Sequence, residues 1–199
     1  MESKLQATSE IFNEAYYRDN YRTYEWDALA HEFRATATLI RDTFLPKKAL
    51  DVGCATGHLV RALREREVEA WGLDASGWAT GAADESVSPY LTHGLIQQLP
   101  FRAKSFDTVI CFDVLEHIPE EDADRACAEL MRVASRYLIL NLITLESADY
   151  TDPTHITVKP KQWWIDKLTK LGGTVVPYEH YGAPVWWFNV PERSIVIKL

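Results

Sequence analysis

From Pro46 to the C-terminus, short apolar runs alternate with amphipathic segments, and this alternation constrains the fold more than any other feature of the chain. The runs near 48–52, 68–73, 90–94, 106–112 and 135–142 have strand length, while segments near 57–66, 77–84, 120–133 and 160–171 carry apolar residues at helical spacing. Strands separated by helices pair through crossovers, so they form a parallel sheet with helices on both faces. Two last runs, 174–180 and 193–199, have no helix between them and are expected to pair antiparallel. Ahead of this core, Asp27 is the expected N-cap of a helix to about Phe44, with Leu29, Phe33, Ala37 and Ile40 on one face. The chain of 199 residues is expected to be one domain, with a helical cap over 1–45 and a core over 46–199.

Residues 49–57, Ala-Leu-Asp-Val-Gly-Cys-Ala-Thr-Gly, carry the chemistry of the core. An apolar strand reaches Asp51, and a loop with Gly53, Ala55 and Gly57 opens a helix, which presents backbone N–H groups and a helix N-terminus to a ligand. The spacing departs from the dinucleotide fingerprint G-x-G-x-x-G, because Ala55 replaces its second glycine. Asp51 stands where a pyrophosphate would sit, which disfavours a nicotinamide cofactor and suits a ligand with an ammonium group. Val68 to Leu73 ends on Asp74, about twenty residues after the loop, where a carboxylate can accept from both hydroxyls of a ribose. Asp51, Asp74 and Asp113 all fall at carboxyl ends of strands, where ligands bind in open sheets of this kind.

These motifs resemble class I S-adenosylmethionine-dependent methyltransferases. The run Ala49–Leu59 is followed in the family's order by Gly72-Leu-Asp74-Ala75-Ser76, Gln98-Leu-Pro-Phe101 and Ser105–Ile118. The resemblance implies a Rossmann-like three-layer α/β sandwich, with a mostly parallel seven-stranded sheet, a C-terminal antiparallel strand and an N-terminal helical cap. It implies S-adenosyl-L-methionine as cofactor. Asp51 and Gly53 would face its methionine part, with Cys54, Ala55 and Gly57 completing the loop. Asp74 would hold the ribose beside Ala75, and Phe112 to Leu115 would wall the sulfonium. Where the family often has Gly-Asp-Ala near the adenine, this chain has Gly94, Leu95 and Ile96, so apolar packing and backbone groups would hold that ring.

His117, Asp113 and His155 are the candidate catalytic residues. His117 follows a buried strand, and its unperturbed pKa suits deprotonation of an acceptor. The order Asp113-x-x-Glu116-His117, with His155 as a further ligand, also resembles the metal-ligand sets of small-RNA 2′-O-methyltransferases and ubiquinone-pathway O-methyltransferases. A loop-starting, purely structural Glu-His pair is the plainer alternative, and no metal is part of the reading adopted. The polar segment Asp149–Thr157 has the length of a lid or an acceptor-binding loop. Trp164, Leu168 and Leu171 fall on one helical face and are expected in the core. The N-terminal tyrosines Tyr16, Tyr17, Tyr21 and Tyr24 are expected to pack under the cap rather than meet the cofactor, and Trp186–Phe188 to line an acceptor pocket or a subunit contact.

Composition closes other routes. A formal charge of −8 argues against nonspecific attraction to nucleic acid or anionic membranes. Cys54, Cys111 and Cys127 form no C-x-x-C pair, and free thiols fit a reducing cytoplasm. No signal peptide or membrane span is expected. The expected function is transfer of a methyl group to an O or N atom of a small-molecule acceptor by a cytoplasmic monomer or homodimer. The alternatives are methylation of a protein or RNA, and cofactor binding without turnover.

Overall fold

The computed structural model describes residues 2–20, 25–147, 152–177 and 190–199. Strands β1 (Lys48–Val52), β2 (Glu69–Asp74), β3 (Leu91–His93), β4 (Phe106–Phe112), β5 (Ala134–Asn141), β6 (Thr174–Val176) and β7 (Ser194–Lys198) form one sheet in the order β3-β2-β1-β4-β5-β7-β6. The first five are parallel, with Asp51 opposite Gly72 on one side and Ile110 on the other. β7 inserts antiparallel between β5 and β6, Leu140 facing Ile195 and Val176 facing Val196. Chain order reverses between β1 and β4, so the carboxyl ends of those two strands open a crevice.

Alternation within the strands feeds two cores, one on each face. Leu50, Val109, Leu138 and Leu140 pack with Cys127 and Leu130 of α6 (Ala123–Val133) and with Trp164 and Leu168 of α7 (Lys161–Lys170). Ala49, Ile110, Ile139 and Val196 face the other way, against Ala37, Ile40 and Phe44 of α3 (Trp26–Phe44) and Leu59 and Leu63 of α4 (His58–Arg64). Residues 49 and 50 thus supply opposite cores from adjacent positions. Above the carboxyl ends lie α1 (Glu2–Ile11) and α2 (Glu14–Asn20), and α5 (Gly77–Gly81) follows β2. No residue of α1 is buried.

Four local expectations are corrected. The N-cap of α3 is Glu25, not Asp27; its backbone is extended and its side chain makes no capping bond. Asp27 sits inside the first turn, where a carboxylate still favours the positive end of the helix. Leu171 lies past the end of α7 and is 46% exposed, because the chain turns away at Gly172 (φ +93°) before the helical face returns to the core. The segment expected as helix over 77–84 stops at Gly81, and 120–133 begins as a separate 3₁₀ turn, Glu120–Asp122. Tyr21, Tyr24, Asp149–Thr151 and Trp186–Phe188 lie outside the described residues, as do positions 178–180 of the expected 174–180 strand. Among the described residues no helix is long and apolar enough to cross a membrane.

Candidate functional site

The end of β1 continues into a loop that only particular backbone conformations allow. Gly53 has φ +85°, and its N–H donates to the Leu73 carbonyl at 2.7 Å. A Cβ there would stand 2.1 Å from Val114 Cγ2, so the loop passes beneath Val114 only as glycine. Ala55 is also left-handed (φ +48°), and its N–H donates to Asp74 Oδ2 at 2.7 Å. The other oxygen of Asp74 accepts from the Ser76 N–H at 2.7 Å. Asp74 therefore ties the glycine loop to the end of β2 before any ligand arrives. Each carboxylate oxygen keeps a further lone pair for a ligand hydroxyl.

These strand ends floor a cavity of about 460 Å³, a size ordinary for small-ligand sites. Asp51, Gly53, Cys54, Ala55, Asp74, Ala75, Leu95, Ile96, Phe112, Asp113 and His117 all line it, as does Val114. Gly57 does not; it is the N-cap of α4 with φ +82°, packed near Leu91 and Val87. Leu115 is buried behind the wall it was expected to form. Tyr16 and Tyr17 pack with Phe12 and Trp78, as expected of the cap, and also line the cavity. Sequence reading also missed Thr8, Phe12 and Arg193 on the wall. No local pattern marks Arg193; its partner Asp113 is 80 residues away.

Burial sets the electrostatics. Burial, and then the neighbouring charge of Asp74, pushes the Asp51 carboxyl up to about 8. Burial also raises Asp74, against the backbone donors of Ser76 and Ala55 that favour its anion. Asp113 is half-buried with φ +51°, and burial raises it while the paired Arg193 guanidinium opposes the shift. Beyond the Asp113–Arg193 pair, the wall offers the carboxyls of Asp51 and Asp74, whose ionised forms a cationic group beside them would favour.

The second half of the site gathers around His117. Its ring lies 4.7 Å from that of His155 and edge-on to Phe12 at 5.3 Å. Burial, and then the His155 ring, lowers its pKa to about 4, so it is a neutral imidazole near neutral pH. His155 stands behind His117 and off the cavity wall, and its Nδ1 is buried without a hydrogen-bond partner. Glu116 is fully buried: Oε1 accepts from the Ile143 N–H at 2.7 Å, while Oε2 has no partner. Burial, and then Asp113, raises its carboxyl to about 8. Glu116, His117 and His155 each offer a ligand atom within 4.8 Å of the others, and they are the residues that could hold a metal ion. Burial works against the anion of Asp152, yet the Thr154 hydroxyl and N–H hold its carboxyl below the usual range.

Comparison with known proteins agrees with this geometry. A family model described as a methyltransferase domain matches residues 49–136. The chain is 30% identical over 162 residues to magnesium-protoporphyrin O-methyltransferase of Synechocystis sp., covering 75% of this chain and 64% of that relative. It is 30% identical over 115 residues to a ubiquinone biosynthesis O-methyltransferase of Idiomarina loihiensis, covering 51% and 44%. The crystal structure of magnesium protoporphyrin IX methyltransferase from Synechocystis with bound S-adenosylmethionine superposes with a TM-score of 0.68 at 21% identity, covering 98% of this chain and 95% of that one. The chain thus spans less than two thirds of the length of these curated relatives. Residues 49–136 match the methyltransferase-domain family, and the chain has the fold of the magnesium protoporphyrin IX methyltransferase that binds S-adenosylmethionine.

Proposed function

We propose that the cavity binds S-adenosylmethionine and transfers its methyl group to an O or N atom of a small molecule. The observation that carries this reading is the convergence of Asp51, Asp74 and the left-handed Gly53–Ala55 loop on one cavity floor. Asp51 would receive the ammonium of the methionine part and Asp74 the ribose diol. Leu95 and Ile96 would pack against the adenine, with Phe112 to Val114 beside the sulfonium. The opposite wall, Phe12, Tyr16, Tyr17 and His117, is aromatic and suits a flat, largely apolar acceptor. The two relatives are named for O-methylation of small molecules, which supports the same class of acceptor here. The −8 charge weighs against RNA.

The reaction asks little of the protein beyond alignment. The acceptor attacks the methyl carbon in line with the C–S bond; a new C–O or C–N bond forms as C–S breaks, and the sulfonium leaves as a neutral thioether. Holding both molecules in one water-poor cavity provides most of the acceleration. Burial makes His117 a weaker base than the unperturbed imidazole the sequence suggested, so its role here is to receive the acceptor proton as the new bond forms and that proton becomes acidic. Methyl transfer from labelled S-adenosylmethionine to a panel of phenols, carboxylic acids and amines tests this; His117→Gln should lower turnover roughly 10²–10⁴-fold while sparing cofactor affinity. Transfer to none of the panel, despite cofactor binding, would leave the non-catalytic alternative.

A second reading rests on the unpartnered Glu116 Oε2 and His155 Nδ1 beside His117. Under it those three residues would hold a divalent ion, whose chemistry would be that of a Lewis acid toward an acceptor oxygen. Chelation would then abolish turnover and Mn²⁺ would restore it, whereas under the base reading a chelator has no effect.

A further inference from the structure

The groups behind His117 form a hydrogen-bonded chain that runs out to the N-terminal cap. Thr154 Oγ1 lies 2.6 Å from Asp152 Oδ1, and a carboxylate accepts only, so the threonine hydroxyl donates to it. The same Oγ1 lies 2.9 Å from His117 Nδ1 and, its proton spent, can only accept there. The Thr154 carbonyl, 3.2 Å from Nδ1, is a second acceptor at that nitrogen. Both neighbours require Nδ1 to carry the ring proton. Asp152 in turn fixes the turn that presents Thr154, accepting from its N–H at 2.8 Å. Its other oxygen accepts from the Tyr16 hydroxyl of α2 at 2.9 Å.

We infer that Asp152 is a positioning residue: acting through Thr154, it holds His117 with its proton on Nδ1 and its lone pair on Nε2, and Tyr16 ties this arrangement to the cap over the cavity. The role is that of a carboxylate orienting a histidine base, relayed here through a hydroxyl. It rests on the methyl-transfer reading for its purpose, since a lone pair on Nε2 is what a base offers to an acceptor proton. The tautomer itself is a separate, measurable fact. Tyr16 adds a geometric coupling, because its ring also lines the cavity and packs edge-on against Phe12 at 4.9 Å. The same carboxylate therefore touches the cap, the turn at Thr154 and, through it, the reactive ring.

Long-range ¹H–¹⁵N correlation of the histidine rings in the ¹⁵N-labelled full chain, at a pH where His117 is neutral, tests this; His117→Gln assigns its signals. The expected result is one tautomer with the pyridine-type nitrogen at Nε2. Asp152→Ala and Thr154→Val should each convert it to a mixture, and Thr154→Ser, which keeps the hydroxyl, should restore the wild-type pattern. Backbone amide shifts of Asp152 and His155 that stay in place in Thr154→Val separate loss of the hydroxyl from collapse of the turn. A proton on Nε2 in the wild type, or signals unchanged in both disruptive variants, would overturn the inference. S-adenosylhomocysteine titrated into the same samples separates the two claims. If it fails to bind the wild type, the methyl-transfer reading falls while the tautomer result stands; if it binds all variants within about threefold and only the rings differ, the positioning role is isolated.

Discussion

The two walls of the cavity are built by different means. The floor, from Asp51 to Ser76, is buried and satisfied by its own neighbours: Asp74 accepts from Ala55 and Ser76, and Gly53 donates to Leu73. The roof, from α1 and α2, has no buried residue in its first helix and is held mainly by side-chain contacts: Tyr16 to Asp152, Gly77 N–H to Ser9 Oγ at 2.8 Å, Lys4 to Asp122, and Tyr17 stacked on Trp78. A preformed floor pays little ordering entropy when the cofactor binds. A lightly held roof can open, which a cavity closed over its ligand requires for exchange.

The largest effect should come from Gly53→Ala. A left-handed alanine costs about 1–2 kcal/mol, and its Cβ collides with Val114, which adds about 1–3 kcal/mol of overpacking. Chemical denaturation should show that loss, and calorimetry a collapse of cofactor affinity. If Gly53→Ala bound the cofactor normally, the floor would not be rigid.

The next effect is a pH dependence that belongs to the floor alone. Without ligand, Asp51 is protonated up to about pH 8, and the ligand's ammonium favours its anion, so binding releases a proton. Affinity for S-adenosylhomocysteine should rise with pH toward about 8, by at most about tenfold per unit, and Asp51→Asn should flatten the slope. Stability of the ligand-free protein should run the other way. A carboxyl raised on folding contributes fully below its unfolded pKa, and that contribution is lost as pH rises toward about 8.

Phe12→Ala probes the roof. It removes a partly buried ring, about 1–2 kcal/mol of stability, and should speed cofactor release several-fold in stopped-flow displacement. The smallest effect on binding is expected from Gly57→Ala: about 1–2 kcal/mol of stability from φ +82°, with affinity within about twofold because the residue is off the cavity wall. Equal affinity losses in Gly53→Ala and Gly57→Ala would erase the distinction between a loop that lines the site and one that only starts a helix.

The same contrast explains what was legible in the sequence. Asp51, Gly53, Ala55 and Asp74 lie within 24 residues, and their spacing encodes a strand–loop–helix–strand unit with ligand groups at its ends. Short apolar runs alternating with helical spacing placed the parallel strands, and the lack of a helix between the last two runs placed the antiparallel C-terminal pair. On the acceptor side Asp113 and His117 were legible, but the pairings that hold them escaped because they join distant segments. Arg193 meets Asp113, Tyr16 meets Asp152, and Thr154 meets His117, pairings separated by 80, 136 and 37 residues. Tyr16 and Tyr17 read as generic aromatic cap residues until α2 is placed over the strand ends. Boundaries slipped where a local turn intervened, as at Leu171 and the 3₁₀ turn before α6.

Isothermal titration of S-adenosylhomocysteine into the wild type and Asp74→Ala tests the central claim most directly. The account predicts one site per chain and a loss of about tenfold or more in the variant, the equivalent of roughly 1.5–3 kcal/mol of charge-assisted hydrogen bonding, with NADH giving no heat. No binding of S-adenosylhomocysteine to the wild type, or binding that Asp74→Ala leaves unchanged, would contradict it.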